Sequence, residues 1–555
     1  MSSAADKVVN VGLRLSTTAR DDPDGVAAVM PLGRRGGKRQ YARMSFRELD
    51  DDSNLLADGL MNMGIKRGAR IVLMVRPSID FISLVFAMFK AGIVTILIDP
   101  GMGRKNLVRC LEEVEPEGFV AIPIVHALRV LMRRRFPKAE YNVTVGRRWF
   151  WGGKTIRHLR GRLLSEDFQA IQCQTNDPAA IIFTTGSTGP PKGVLYEHGN
   201  FNAQVDEIRD RYEIQPGEID LSGFPLFALF NCAMGVTTVI PDMDPTRPAD
   251  VDPRNVLEAV HDWNITQAFG SPALWNTVSR YCEKHNATMP TLRRVLSAGA
   301  PVPPHVLQRV RNSIHPDGNM FTPYGATESL PVASISATEV LNETAEQSAK
   351  GAGTCVGTKY SKIQWKVIEI SDDPIESIDD VTELPQGGIG EIIVRGPVVT
   401  RRYVTGTEAN PLHKIHDGDS IWHRIGDAGY LDDQDRFWFC GRKAHRVRTV
   451  SGTMFTIPCE AIINTHEHIY RSALVGIGEP SKQRPVIIVE TWPEHRPNSK
   501  SARQKLVAEV REIAQAHPLT SSIDTFLIHP SLPVDIRHNA KIFREKLAVW
   551  AAQQV

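Results

Sequence analysis

The sequence predicts an α/β protein that continues into a β-rich segment and ends in a separate small α+β unit. Helical and strand patterns alternate from residue 44 to residue 100, and again from residue 178 to about residue 335. This alternation is typical of a largely parallel sheet. Between residues 384 and 440, short apolar runs are separated by glycines and acidic turns, which favours a β-rich structure.

Each predicted helix or strand is inferred from the spacing of its apolar residues and from the residues that end the apolar segment. Residues 44–64 have helical spacing and end near Gly64, and residues 69–75 form a predicted buried strand. A second helix closes on Gly92 and leads into another strand. Two apolar strands and a helix at residues 501–517 complete the terminal unit. Farther upstream, Asn200 is the expected N-cap of a helix.

The composition excludes several classes of protein. Of 555 residues, 65 are Lys or Arg and 63 are Asp or Glu, so there is no basic excess of the kind that nucleic-acid-binding proteins show. Seven scattered cysteines form no CxxC pair, which favours a reducing cytoplasm over a disulfide framework or a zinc site. The first ten residues lack the apolar core of a signal peptide.

Two segments raise the question of a membrane. Residues 221–241 carry no charge and are long enough to span a bilayer, but prolines, Asn231 and Gly235 interrupt them and acidic residues flank them. We therefore expect a buried, pocket-forming segment and no transmembrane span. Residues 125–136 form a basic amphipathic stretch. It fits peripheral contact with a membrane surface, or a helix with a solvated basic face.

A loop within residues 181–194, IIFTTGSTGPPKGV, has the composition of a phosphate-binding loop. Its glycines free backbone N–H groups to converge on an oxyanion, and its hydroxyls and Lys192 add donors and charge. It is not a Walker loop, because Pro191 and Gly193 flank the lysine. It is not a dinucleotide fingerprint either, because only GxxG is present.

These residues resemble the phosphate loop of the adenylate-forming superfamily, which includes acyl-CoA ligases, luciferases and peptide-synthetase adenylation domains. Five further stretches resemble that family's motifs in the same order: LSAGAPVP at 296–303, YGATE at 324–328, GEIIVRGP at 390–397, GDAGYLDDQDRFWFCGR at 426–442 and NAKIFREKL at 539–547. The resemblance implies an N-terminal adenylation domain, residues 1–441, made of two α/β subdomains and a β-rich subdomain. A small mobile lid domain, residues 442–555, would carry the catalytic lysine.

The resemblance also implies roles for individual residues. Lys541, Lys192 and Glu328 would be catalytic, with Glu328 and Thr188 beside Mg²⁺. The expected ATP-binding residues are Thr184, Thr185, Gly186, Ser187, Thr188, Gly189, Ala298, Gly299, Ala300, Pro301, Tyr324, Gly325, Ala326, Thr327, Asp427 and Arg442. The acyl chain would lie against Phe227, Phe230, Asn231 and Gly270, because this apolar lining favours a fatty chain over an amino acid.

The sequence departs from typical acyl-CoA ligases where the lid must turn towards coenzyme A. Ala444 replaces the family's Asp or Lys, the loop that resembles the pantetheine loop is about two residues longer than in the family, and Ala540 replaces a glycine. The chain is most similar to the bacterial olefin-biosynthesis β-lactone synthetases (the OleC family). That resemblance implies a long-chain β-hydroxy acid substrate and a complex with other enzymes of the lipid pathway. A long-chain acyl-CoA ligase, a fatty acyl-AMP ligase and a non-catalytic acyl-binding scaffold remain alternatives.

Overall fold

A computed structural model describes residues 9–184, 190–224, 227–534 and 541–555. The part up to residue 212 alternates helices with strands, as the sequence predicted. Its elements are α1 (Leu13–Asp21), β1 (Val26–Arg35), β2 (Lys38–Ser45), α2 (Phe46–Met61), β3 (Arg70–Met74), α3 (Ile79–Lys90), β4 (Val94–Leu97), α4 (Arg104–Glu113), β5 (Gly118–Ala121), α5 (Pro123–Leu131), β6 (Tyr141–Thr144), β7 (Lys154–Thr155), α6 (Ile156–Arg160), β8 (Pro178–Phe183), β9 (Gly193–Glu197) and α7 (His198–Tyr212).

The next part begins as α/β and becomes antiparallel after residue 319. Its elements are β10 (Ile219–Ser222), α8 (Phe227–Ala233), β11 (Thr237–Val239), α9 (Pro253–Trp263), β12 (Gln267–Gly270), α10 (Pro272–His285), β13 (Arg294–Ser297), α11 (Pro304–Ser313), β14 (Asn319–Ala326), β15 (Ser329–Ser336), α12 (Ala337–Glu339), α13 (Ala345–Ala349), β16 (Thr354–Lys359), β17 (Gln364–Ile368), β18 (Gly390–Arg395), α14 (Asn410–His413), β19 (Lys414–Asp417), β20 (Ser420–Leu431) and β21 (Arg436–Arg442).

The last part holds a hairpin and a small α+β unit with its own core. Its elements are β22 (Val447–Thr449), β23 (Gly452–Met454), α15 (Thr456–Ile463), β24 (Ile469–Ile477), β25 (Arg484–Thr491), α16 (Lys500–Gln515), β26 (Thr525–Ile528) and α17 (Arg544–Ala552). Leu474, Ile487 and Val510 belong to one buried apolar cluster of this unit. The division of the chain at residue 441 remains a proposal.

Two large sheets position the site. The first has the order β7-β6-β5-β3-β4-β8-β9, and it is parallel except for the β8–β9 pair. The second has fourteen strands: thirteen run in order from β2 to β17, and β19 pairs with β20 beside that path. Its strands β10, β12, β13 and β14 are parallel neighbours, whereas β14 to β21 pair antiparallel. The β-rich part therefore continues the sheet of the second α/β part, and β8, β13 and β14 end near the candidate site.

The uncharged segment at residues 221–241 is not one long helix. It contains the end of β10, the short helix α8 and the strand β11. Within the described residues, no helix has the length and apolarity needed to cross a bilayer. The expectation of a buried segment is confirmed for this region, since Leu221, Cys232 and Val239 are fully buried.

Local capping explains where several helices begin. Ser45 Oγ accepts a hydrogen bond from Glu48 N, and the Glu48 carboxylate accepts one from Ser45 N, so α2 starts in a capping box. The prediction that Asn200 is an N-cap was wrong. Helix α7 begins three residues earlier, with Glu197 as its N-cap. Asn200 Oδ1 reaches back to accept a hydrogen bond from Glu197 N at 2.9 Å.

A fully buried ion pair joins β18 to β20 and to the chain that leaves the sheet. Arg424 Nη2 lies 2.6 Å from Glu391 Oε2, and both side chains have no exposed surface. Lys443 Nζ lies 3.0 Å from the same carboxylate oxygen. Arg424 also donates to the carbonyl oxygen of Asp373 at 2.8 Å. The Glu391 carboxylate therefore balances the positive charges of both Arg424 and Lys443 inside the protein.

We expect Glu391→Ala to lower the free energy of unfolding by about 3–5 kcal/mol, because it leaves Arg424 and Lys443 buried without their carboxylate. Urea denaturation followed by tryptophan fluorescence measures this change. Glu383→Ala is the matched control, since Glu383 pairs with Lys366 at the surface and such pairs contribute at most about 1 kcal/mol. Equal effects of the two substitutions would contradict the assignment.

Candidate active site

The loop between β8 and β9 is closed at its base by two hydrogen bonds. Thr184 N donates to Lys192 O at 3.0 Å, and Lys192 N donates to Thr184 Oγ1 at 3.0 Å. The predicted phosphate-binding residues Thr185, Gly186, Ser187, Thr188 and Gly189 lie outside the described residues. The two described ends of the loop hold Lys192 at the carboxyl edge of the first sheet.

Lys192 is held by a histidine and a tyrosine that the sequence analysis did not identify. Its ammonium nitrogen lies 3.2 Å from His413 Nε2 and 4.9 Å from the centre of the Tyr403 ring. His413 Nδ1 lies 3.1 Å from the Arg424 carbonyl oxygen. We infer that Nδ1 carries the proton, so that Nε2 accepts the hydrogen bond from Lys192.

The environment of this pair favours a neutral histidine. Burial, and then the positive charge of Lys192, lower the pKa of His413 to about 4. Burial also lowers the pKa of Lys192, while the nearby Glu328 carboxylate opposes that shift. A neutral acceptor orients the ammonium without cancelling its charge, which leaves that charge available for an anionic ligand.

Glu328 lies in the turn between β14 and β15 and faces the same space. Tyr403 donates its hydroxyl to Glu328 Oε1 at 2.6 Å, and Thr400 N donates to the Glu328 carbonyl oxygen at 2.9 Å. Tyr196 donates to the carbonyl oxygen of Thr327. Three chain segments therefore fix this turn. Gly325 has no room for a side chain, since a Cβ would lie 2.6 Å from the Ser329 carbonyl oxygen.

Asp427 is the buried anion of the site. Tyr324 donates its hydroxyl to Asp427 Oδ2 at 2.6 Å, and Arg442 Nη1 lies 2.9 Å from Asp427 Oδ1. Burial raises the pKa of Asp427, and the charges of Arg442 and Lys541 oppose that shift. Arg442, whose pKa is raised chiefly by Asp427, also donates to the Ile425 carbonyl oxygen at 2.9 Å.

The C-terminal unit contacts the segment that follows Arg442, and the charge of Lys541 is among those that oppose the rise in the pKa of Asp427. The chain around Lys541 is fixed by a bridge between Val534 and Ile542. Arg544 then binds both oxygens of Glu460 at 2.7 Å. Glu545 accepts a hydrogen bond from His445 at 3.0 Å, which ties the start of α17 to the segment that follows Arg442.

The remaining predicted residues lie at strand ends. Ala298, Gly299, Ala300 and Pro301 follow β13 directly, and Gly299 has a φ of 97°, which glycine adopts readily. Ala326 ends β14, beside Thr327 and Glu328. The structure thus brings the adenine-loop residues and the YGATE residues to neighbouring parallel strands of one sheet.

The residues predicted to line the acyl pocket lie around α8 and β12. The Phe227 side chain lies outside the described part, and Phe230 is partly buried. Asn231 is fully buried and donates to Asp220 Oδ2 at 2.7 Å, so it links α8 to β10. Gly270 ends β12, where a Cβ would lie 2.4 Å from Leu274 Cδ2. Glycine is therefore required for α10 to pack closely there.

Tyr403 and His413 escaped the sequence analysis because they lie far along the chain from the groups they contact. Tyr403 is 75 residues from Glu328, and His413 is 221 residues from Lys192. The sequence contains one weak indication that this region is functional. Three histidines, His413, His416 and His423, occur within eleven residues, which is unusual for a surface loop. Their spacing alone indicates no partner.

Comparisons with known proteins agree with this geometry. The family model for AMP-binding enzymes matches residues 15–404. The olefin β-lactone synthetase of Xanthomonas campestris is 44% identical over 552 residues, covering 98% of each chain. The olefin β-lactone synthetase of Stenotrophomonas maltophilia is 43% identical over 555 residues, again covering 98% of each. ATP-bound MatB from Rhodopseudomonas palustris superposes with a TM-score of 0.77 at 18% identity, covering 98% of this chain and 99% of MatB.

In Lys192→Ala, we expect the pKa of His413 to rise above its wild-type value of about 4, because a neighbouring positive charge is removed. Titration of the histidine ring resonances by NMR measures this shift. Lys66→Ala, an exposed lysine elsewhere, is the control and is expected to leave the value unchanged. An unchanged pKa in Lys192→Ala would refute the contact.

Proposed function

This chain belongs to the AMP-binding enzyme family and, within it, to the olefin β-lactone synthetases, and from that membership we propose its substrate and its chemistry. The chain is an AMP-forming ligase that uses ATP. Its proposed substrate is a long-chain β-hydroxy fatty acid, which it converts into a β-lactone through an acyl-adenylate. The proposal is supported most by one observation: Lys192, Glu328, Asp427 and Lys541 come from four distant segments and face one site.

The nucleotide would lie between the two large sheets and the C-terminal unit. Lys192 and the loop that begins at Thr184 would hold the β- and γ-phosphates, with the ammonium oriented by His413. Asp427 would accept hydrogen bonds from the ribose hydroxyls, which an ionised carboxylate does well. Arg442 would hold the Asp427 carboxylate and the ribose edge. Tyr324 and the loop 298–301 would contact the adenine.

Glu328 fits the expected role beside Mg²⁺. Tyr403 occupies its Oε1, and within the described residues no hydrogen bond reaches Oε2. The side chain is also only partly buried. A carboxylate with one oxygen left open is the kind of ligand that Mg²⁺ prefers. When bound, the ion would neutralise charge on the phosphates of ATP.

The first step would form the mixed anhydride. A carboxylate oxygen of the substrate attacks the α-phosphorus of ATP, and the bond from that phosphorus to the pyrophosphate oxygen breaks. This chemistry needs positioning and charge neutralisation more than covalent participation. Lys541 would bring its ammonium to the charge that grows on the α-phosphate and on the carboxylate.

The second step would close the ring. The β-hydroxyl oxygen attacks the acyl carbon, the bond from that carbon to the AMP oxygen breaks, and the hydroxyl proton passes to the phosphate of the departing AMP. Cleavage of the mixed anhydride offsets the strain of the four-membered lactone. Because the nucleophile belongs to the substrate itself, no channel for coenzyme A is required.

The segment after Arg442 supports an internal nucleophile. Ala444 lies in a short helical turn, residues 443–445. Typical acyl-CoA ligases carry Asp or Lys at the position that Ala444 occupies. The stretch that approximates the pantetheine loop forms the hairpin of β22 and β23. Val450 at its tip is 85% exposed. These departures affect thioester formation and leave the adenylation residues in place.

Product analysis tests the proposed reaction. With a β-hydroxy fatty acid, ATP and Mg²⁺ but no coenzyme A, we expect AMP, pyrophosphate and a β-lactone, detected by phosphorus NMR and mass spectrometry. Added coenzyme A should yield no thioester. A fatty acid without the hydroxyl is the matched substrate and should stop at the adenylate. Strict dependence on coenzyme A would show an acyl-CoA ligase instead.

The substitution Lys541→Ala tests the proposed role of the Lys541 ammonium in forming the adenylate. We expect pyrophosphate release to slow by about 10²–10³-fold, because the charge that forms in the transition state loses its counter-ion. The unfolding midpoint should stay unchanged, since a partly exposed lysine contributes little to packing. Lys546→Ala, an exposed lysine five residues later, is the control. Normal adenylation by Lys541→Ala would remove it from the mechanism.

A further inference from the structure

One face of the first α/β part combines exposed apolar side chains with arginines. On α5, Ile124, Leu128 and Leu131 follow at helical spacing and are all exposed, Leu131 by 81%. Beside them, the loop after β6 exposes Trp149 by 53% and Phe150 by 73%. We call these five side chains the apolar face. They lie close together in the chain and are not scattered singly over the surface.

A buried tryptophan joins the two segments of the apolar face. The Trp151 ring stacks on His126 of α5, with ring centres 5.6 Å apart, and donates from Nε1 to Thr144 Oγ1 at 2.9 Å. Trp149 and Phe150 contact the same ring, with centres at 5.3 Å and 5.2 Å. The exposed aromatic rings are therefore held against α5 by a packed anchor.

The charges around the apolar face are almost all positive. Residues 123–151 contain seven Lys and Arg and one carboxylate, Glu140. Arg135 pairs with Glu112 at 2.9 Å. Among the described residues, no carboxylate lies within ion-pair distance of Arg129, Arg133, Arg134, Arg147 or Arg148. We call these five arginines the arginine rim.

The environment of Arg129 is an independent indication that this surface binds an anion. It is half-buried, its Nε is inaccessible to water and has no hydrogen-bond partner within the described part, and burial alone lowers its pKa. A guanidinium in this condition is stabilised by an external anion. Phosphate groups are anions that a guanidinium binds with two hydrogen bonds.

Part of the apolar face, namely Ile124 at the start of α5 and the aromatic pair Trp149 and Phe150, lies at the same edge of the first sheet as Thr184, whereas α5 then runs back along the sheet towards its other edge. Strands β5, β6 and β8 are parallel members of that sheet, so α5, the aromatic loop and Thr184 all follow carboxyl ends. Only β3 and β4 separate β5 from β8, a distance of about 14 Å at the usual strand spacing. A surface touching the aromatic end of the apolar face would therefore lie on the same side of the sheet as the proposed nucleotide site.

We propose that the apolar face and its arginine rim dock on a phospholipid bilayer that contains anionic headgroups. The apolar side chains enter the boundary between headgroups and acyl chains, as interfacial helices do, with Trp149 at headgroup depth. The arginine rim binds the lipid phosphates. A protein partner would require complementary acidic pockets, whereas the exposed apolar centre and the mostly basic border match a charged lipid surface. This docking goes beyond the proposed reaction and does not depend on it.

Co-sedimentation of the full chain with vesicles tests the docking. We compare vesicles of phosphatidylcholine with vesicles in which part of the lipid is phosphatidylglycerol. The wild type should bind the anionic vesicles, and added salt should weaken that binding. Leu131→Ser with Phe150→Ser, and separately Arg133→Glu with Arg134→Glu, should each lower binding at least about tenfold. Matched controls are Val549→Ser and Arg35→Glu, both exposed positions outside this surface.

Exchange of labelled pyrophosphate into ATP, measured with a long-chain β-hydroxy fatty acid and without vesicles, separates docking from catalysis. We expect all variants to exchange at the wild-type rate, because none of the changed residues lies at the nucleotide site. A wild type that remains in the supernatant with both vesicles overturns the docking, and a protein partner then becomes the occupant to seek. Unchanged binding of both double variants overturns it as well. Absent exchange in a wild type that still binds vesicles would refute the proposed function alone.

Discussion

The ion pair between Asp427 and Arg442 is the contact on which the arrangement of the site depends. These residues face each other across β20 and β21, in the last rung before the chain leaves the large sheet. Their carboxylate is also bound by Tyr324 from β14 and influenced by Lys541 from the C-terminal unit. One buried carboxylate thus connects β14 with the end of β21 and interacts with the charge of Lys541. It is desolvated, and only the surrounding cations and the tyrosine hydroxyl keep its charged form favourable.

The surroundings of Lys192 differ from those of Asp427, because within the described part of the chain the charge of Lys192 is not balanced by a direct ion pair. Lys192 is surrounded by a neutral histidine, by the face of Tyr403 and by a carboxylate that lies farther away. These groups restrict the ammonium while leaving most of its charge uncompensated. Tyr403 acts twice, because its ring faces Lys192 and its hydroxyl holds Glu328. Lys192 is therefore held in one position with its charge available to an anionic ligand, which is what charge stabilisation in a transition state requires.

The sequence predicted the parts of this fold that depend on local patterns. Apolar periodicity located α2, β3, α3 and β4, and the change to short glycine-bounded runs marked the antiparallel strands β18 to β21. Motif order placed Glu328, Asp427 and Lys541 in one site. Contacts between distant segments were inaccessible, because nothing near His413 in the chain indicates Lys192. The cap of α7 was misjudged for a related reason: Asn200 also donates to the Pro397 carbonyl oxygen at 2.9 Å, and that tertiary contact fixes its position within the first turn.

The edge-to-edge junction of the parallel and antiparallel strands has a mechanical consequence. Backbone hydrogen bonds run without interruption from β2 across to β17, so the adenine-binding strands and the strand that carries Asp427 cannot slide past one another without breaking several rungs. Any large rotation during turnover must then be taken up by the backbone beyond Arg442, where a single short turn precedes the hairpin. The fourteen-stranded sheet would thus stay rigid, while the proposed movement of the C-terminal unit is confined to a few backbone dihedral angles.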